Sequence, residues 1–243
     1  MSSNETQTAA NRFRFLAEAA AWRYRPQGFA VRWLAQQKLA RDPFYRELLA
    51  GNCLPSAGTL LDVGCGRGIL LAWLVCAQTV GMAGGSKRLE NIRLLGIEAD
   101  PKLAESARLA LLGQAEIILG DPLHAALPPY RVAVLHDALL CLPPDAQDRL
   151  LRRVVAGLEA GGLLILREPD ADAWFRQAGI HLAVTALGLA RGQEKRQAYP
   201  KSQAAWASQL ESLGLAVESR PAVGAAGFAK ALLLAIKPIA TSV

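Results

Sequence analysis

Five acids, four glycines and three histidines carry the chemistry that can be read from this chain. The densest group is Asp62-x-Gly64-x-Gly66-x-Gly68, inside Leu60-Leu61-Asp62-Val63-Gly64-Cys65-Gly66-Arg67-Gly68. Glycines let a chain turn tightly and let backbone approach a ligand closely. A helix beginning behind them would offer unpaired N–H groups to a carboxylate or phosphate. Glu98, in Leu95-Gly96-Ile97-Glu98-Ala99-Asp100, can accept both hydroxyls of a ribose. Asp121, in Leu119-Gly120-Asp121-Pro122, can accept from an adenine amino group. Both would be charge-assisted bonds. Either acid alone reads as a surface or capping carboxylate, but the two in order behind a glycine loop point to an adenosine-like ligand.

The elements that must position these residues follow from periodicity. Thr59 to Val63, Ile92 to Glu98, Glu116 to Leu119, Tyr130 to His136 and Leu163 to Leu166 are short apolar runs read as strands. Helices are expected over about 67–78 and 101–112, the latter with Asp100 as N-cap and Pro101 at its first position. A third opens at Pro143-Pro144-Asp145, buries Leu150, Leu151, Val154, Val155 and Leu158, and ends at Gly161-Gly162. Alternation of strand and helix implies a parallel sheet covered on both faces. After a helix over about 202–213, Leu215 to Ser219 and Ala231 to Ile236 follow without a helix between them, which predicts an antiparallel hairpin at the sheet edge. Residues 1–50 read as a helical N-terminal cap broken at Pro26-Gln27-Gly28. Residues 51–243 read as the α/β domain, with an insert at 170–201.

Composition narrows the class. The longest apolar run, Ile69 to Ala77, is far short of the roughly 20 residues of a membrane span, and the N-terminus lacks a signal pattern. Cys53, Cys65, Cys76 and Cys141 form no CxxC pair and no zinc spacing with histidine, so they are read as reduced thiols of a cytoplasmic protein without metal. The net charge of +6 is concentrated between Arg12 and Arg46 and at Arg191, Lys195, Arg196 and Lys201. It reads either as a solvated surface or as attraction to an acidic partner.

With these residues in place, the chain resembles the class I S-adenosylmethionine (SAM)-dependent methyltransferases. Leu60 to Gly68 looks like their first motif, Glu98 like their ribose acid, Gly120-Asp121 like their adenine-site acid, and Gly161 to Ile165 like a later motif. The likeness covers about residues 58–237. It implies a Rossmann-like, seven-stranded α/β sheet, mostly parallel with an antiparallel C-terminal hairpin. It implies SAM as cofactor and S-adenosylhomocysteine as product, held by Asp62, Gly64, Cys65, Gly66, Gly68, Glu98, Ala99, Gly120, Asp121 and Pro122. The carbonyl of His136, and Tyr24 or Arg25 from the cap, would serve the methionine end. More narrowly, Arg23-Tyr24-Arg25, Lys38 to Arg46, His136 to Pro143 and Leu166 to Asp170 are similar to methyltransferases that accompany bacterial aryl polyene (xanthomonadin-like) pigment synthesis. The implied partner is a small molecule, aromatic or polyketide-like, free or attached to a carrier protein, methylated on oxygen or carbon.

Methyl transfer from a sulfonium is an in-line displacement, so alignment and exclusion of water do most of the work. A base is needed only when the acceptor must lose a proton. His136 and Asp137, after the fourth strand, are the candidates, with Glu168 beside them; each also has a plain structural reading. His181, in the insert, reads as a solvated loop residue or a substrate cap, and His124 as an adenine neighbour. Trp22 and Trp33 read as helix packing or acceptor lining. A dehydrogenase would need Gly where Ile69 stands in G-x-G-x-x-G. A nucleic-acid methyltransferase would carry its Pro-Pro-aromatic motif after the fourth strand, whereas Leu127-Pro128-Pro129-Tyr130 precedes it. A SAM-binding partner subunit without catalysis would have no need of the intact glycines and acids. One departure is the 30-residue interval from Gly68 to Glu98, whose extra length includes the loop Val80 to Arg88.

Overall fold

A computed structural model describes residues 3–50, 53–80, 89, 91–172, 197–223 and 229–239. Three helices lead the chain: α1 (Ser3–Trp22), α2 (Phe29–Arg41) and α3 (Pro43–Ala50). The α/β part follows as β1 (Ala57–Val63), α4 (Ile69–Val80), β2 (Asn91–Glu98), α5 (Pro101–Leu111), β3 (Glu116–Leu119), β4 (Tyr130–His136), α6 (Pro144–Gly157), β5 (Leu158–Pro169), α7 (Gln203–Ser212), β6 (Ala216–Val223) and β7 (Ala229–Ile236).

The seven strands form one sheet in the order β3-β2-β1-β4-β5-β7-β6. β1 to β5 pair in parallel, and β7 runs antiparallel to both β5 and β6. This is the predicted mostly parallel sheet with an edge hairpin. The period of two along each strand feeds two cores. Leu60, Leu94, Val132, Val134 and Ile165 meet α1, α4 and α5 on one face. Leu61, Leu95, Ala133, Leu135, Leu164 and Leu166 meet α6 and α7 on the other. The cap shares the first of these cores: Phe13 stacks on Trp73 of α4 at 6.3 Å, and the Trp73 indole donates to the Tyr45 carbonyl at 3.0 Å.

Two local expectations change. Gly161-Gly162 does not end α6; the helix stops at Gly157, and the glycines lie inside β5. Gly157 sits where an added Cβ would be 2.8 Å from the Tyr130 hydroxyl oxygen, so close packing selects glycine there. β5 is accordingly twelve residues long and starts five residues before Leu163, with a pairing irregularity between Tyr130 and Val132. The loop at 81–88, His181 and most of the 170–201 insert lie outside the described residues.

Candidate functional site

Parallel register brings the chemistry to one edge. Val63 pairs with Ile97 and with Leu135, Glu98 pairs with Leu119, and His136 pairs with Arg167. The residues that follow these positions therefore line up along the carboxyl ends of the strands, where open α/β sheets bind ligands.

The glycine loop joins β1 to α4. Gly64, Gly66 and Gly68 all have positive φ, at 68°, 57° and 70°. An added Cβ on Gly68 would lie 3.0 Å from the Ala107 methyl, whereas one on Gly66 would meet nothing within 4 Å. Gly66 thus faces open space, with its N–H donating to Glu98 Oε2 at 2.8 Å. Glu98 Oε1 accepts the Asp100 N–H at 2.9 Å, so the carboxylate is pinned between the loop and the end of β2. Asp100 caps α5 through Lys102 and Leu103, leaving Glu98 as the carboxylate facing the loop. Ala99 beside it is exposed.

Asp62 is buried under the loop. Burial pushes its carboxyl up to about 7, opposed by nearby Lys38 and reinforced by Glu98. Cys65 is buried too, and its thiol is pushed well up by desolvation. Gly120, Asp121 and Pro122 follow β3, where the Gly120 N–H donates to the Glu98 carbonyl at 2.9 Å. Asp121 is exposed; the Leu123 amide and the His124 ring, 2.7 Å away, hold its carboxyl below the usual range.

The cap enters the site through Tyr24. Its buried hydroxyl donates to the Arg67 carbonyl at 2.8 Å, so Tyr24 braces the glycine loop from outside. Arg25 is exposed, with its guanidinium 5.0 Å from the Trp22 ring centre. Arg23 donates to the Ala110 carbonyl at 2.8 Å, and the Gln27 side-chain amide to that of Ser106 at 2.8 Å. Nothing in the spacing of Arg23 and Gln27 signals that they hold α5, because both contacts span about eighty residues.

At the end of β4, His136 is buried. Its Nε2 lies 2.8 Å from an Arg167 nitrogen. Arginine can only donate, so Nε2 accepts and the ring is neutral. Burial pushes the imidazole down to about 4. Arg167 also grips Asp42 with bonds of 2.6 and 2.9 Å. Burial alone would raise the Asp42 carboxyl, but the Arg167 guanidinium and the Phe44 amide outweigh it and hold it well below the usual range. Phe44 packs on the imidazole at 4.7 Å. The His136 ring is thus engaged from within the core.

Asp137 lies beside that ring, its Oδ2 3.5 Å from His136 Nε2, and has a φ of 59°, uncommon outside glycine. Lys230 from β7 holds both its oxygens, one at 2.6 Å. Burial works against ionisation of Asp137, but the Lys230 and Lys38 ammonium groups keep its carboxyl low. Glu168 Oε1 accepts the Ala138 and Leu139 amides at 2.7 and 2.8 Å, fixing the turn that presents Asp137. Its Oε2 is buried without a hydrogen-bond partner, and burial pushes this acid up to about 8. The sequence placed Glu168 at a strand end. The partners Asp42, Lys38 and Lys230 it did not bring to the site, since they come from the end of α2 and from β7.

Among the described residues no group of His, Cys, Asp or Glu could hold a metal ion, and no helix is long and apolar enough to cross a membrane.

No family profile matches the chain. Curated relatives do. A carboxy-S-adenosyl-L-methionine synthase of Mannheimia succiniciproducens is 28% identical over 126 residues, covering 50% of this chain and 48% of that protein. A trans-aconitate 2-methyltransferase of Rhodopseudomonas palustris is 29% identical over 142 residues, covering 57% and 50%. The chain thus spans about half the length of these relatives. Among solved structures, magnesium protoporphyrin IX methyltransferase from Synechocystis with bound S-adenosylhomocysteine superposes with a TM-score of 0.58 at 18% identity, over 86% of this chain and 88% of that one. The fold is the Rossmann-like fold of SAM-dependent methyltransferases.

Proposed function

We propose that this chain is a SAM-dependent methyltransferase acting on a small-molecule acceptor through oxygen or carbon, as its relatives' names and the site support. The observation that carries the reading is the Gly66–Glu98 pair. A left-handed glycine with open space before it stands 2.8 Å from an acid at the end of the next strand. That cradle fits a ribose whose hydroxyls displace or share the bonds of the carboxylate. Asp121 at the end of β3 would take the adenine amine, and the His136 carbonyl the methionine amine.

The cofactor supplies an electrophilic methyl on a sulfonium. The chain supplies alignment, which in well-oriented reactions is worth roughly 7–11 kcal/mol. Asp137 is the acceptor-side group: it is the ionised, partly exposed side chain at the end of β4, while Lys230 and the Glu168-held turn fix its direction. It would orient an acceptor hydroxyl or take its proton. The neutral His136 ring serves from behind, holding the strand end against Arg167. An aromatic or polyketide-like acceptor, carrier attachment and a role in pigment synthesis are finer readings that rest on the sequence resemblance alone.

Calorimetric titration with SAM, S-adenosylhomocysteine and NAD tests the assignment. Micromolar binding of the first two and none of NAD is expected. Binding of NAD alone would overturn it.

A further inference from the structure

The cap carries a surface the cofactor site does not use. Among the described residues the strongly exposed large aromatics are Phe15, Trp22, Phe29 and Trp33, and all lie on α1 and α2. Phe29 is 81% exposed, and Trp22 and Trp33 about half. Large apolar groups clustered in water mark interaction surfaces. Phe29, Arg32 and Trp33 share a face of α2 by helical spacing. The Arg32 guanidinium lies 4.2 Å from the Trp22 ring centre, which joins that face to the end of α1; Arg25 covers the same ring. Residues 1–50 carry eight Arg and Lys against four Asp and Glu, so four of the six net positive charges reside there.

We infer that the α1–α2 corner docks on an anionic lipid surface, with Trp22, Phe29 and Trp33 in the headgroup layer and Arg25 and Arg32 on the phosphates. Aromatic rings favour the membrane–water interface, and guanidinium pairs well with phosphate. Basic residues near an anionic leaflet each strengthen binding about fivefold. A second copy of the chain is a poorer occupant, because a two-fold contact would bring two basic patches together. The shape also favours lipid over a protein groove. Arg25, Pro26, Gly28, Phe29 and Ala30 are exposed around a turn, with the most exposed aromatic beside it. Exposed side chains gathered at one turn, the most exposed aromatic among them, suit shallow insertion between headgroups. The inference stands apart from the methyl-transfer reading.

The test is cosedimentation of the full chain with vesicles of phosphatidylcholine, with or without phosphatidylglycerol. Binding to the anionic vesicles, a blue shift of tryptophan emission and loss of binding at high salt are expected. Phe29→Ser should weaken partitioning about tenfold or more, and Arg32→Glu should weaken it on anionic vesicles. Unchanged circular dichroism and unchanged SAM titration of Phe29→Ser show that the fold is intact. Absence of binding to anionic vesicles by folded protein would overturn the inference. So would binding indifferent to both variants. A solution dimer dissociated by Phe29→Ser would assign the patch to a second copy, and saturable binding of an acidic carrier protein without vesicle binding would assign it to a protein; either also overturns the lipid assignment.

Discussion

Arg167 at the end of β5 holds Asp42, 125 residues earlier, in a buried two-bond ion pair, and the same guanidinium donates to the His136 ring. One side chain thereby ties the N-terminal helices to the strand end from which Asp137 projects. Breaking a buried pair by removing one partner leaves a charge unsatisfied and costs roughly 3–5 kcal/mol. Arg167→Met should therefore destabilise strongly in denaturant unfolding. The double variant Arg167→Met with Asp42→Leu should recover most of the loss. A double variant as unstable as the single would show that packing, not charge, sets the cost.

The Asp42 carboxyl sits below its ordinary range, so its sign is that of a paired acid. Its contribution is fully present above the unfolded value near pH 4 and fades as pH falls through the folded value. Wild type should lose stability in acid more steeply than Asp42→Asn, as read from urea midpoints across that range. Equal slopes would mean that the ion pair forms only weakly in solution.

Glu168 behaves oppositely. Its folded value is raised to about 8 by burial, so the folded state keeps a proton that the unfolded chain releases near pH 4.3. Stability from this group declines as pH rises from there to about 8. Glu168→Gln keeps an acceptor oxygen for the Ala138 and Leu139 amides and removes the titration. Its stability should be flatter than that of wild type over this range, while Glu168→Ala, which frees both amides, should lose about 1–3 kcal/mol.

Loss of Glu98 tests the cofactor cradle. Glu98→Ala should weaken SAM binding by roughly 1.5–3 kcal/mol, the worth of hydrogen bonds to a charged group. Calorimetry reads this directly. An unchanged affinity would mean that the ribose lies elsewhere.

Two glycines of the same loop should respond differently. A left-handed conformation costs a non-glycine residue about 1–2 kcal/mol. Gly66→Ala should show little more than that in thermal unfolding, because its Cβ meets nothing, and its effect should appear in SAM affinity. Gly68→Ala adds a contact at 3.0 Å with the Ala107 methyl and should lose more stability. Equal losses would argue against the close helix packing behind Gly68.

Much of the architecture was legible because it is local. Period-two and helical apolar patterns, the Asp100-Pro101 cap and the hairpin without a helix depend on neighbours within a few residues, so the strand directions and the loop–acid–acid line could be anticipated. Gly161-Gly162 misled for the same reason: a glycine pair after a helical run reads as a helix end, and only the approach of the Tyr130 hydroxyl to Gly157 shows where α6 stops. The residue types of the site, Asp62, the glycines, Glu98 and Asp137, were also visible in the chain. What each does was decided by partners from remote elements. Asp42 and Phe44 enclose His136, Lys230 turns Asp137, and Tyr24 braces the glycine loop. Burial and charge pairing depend on which side chains share a volume, and that is settled only when the sheet and its cap close on one another.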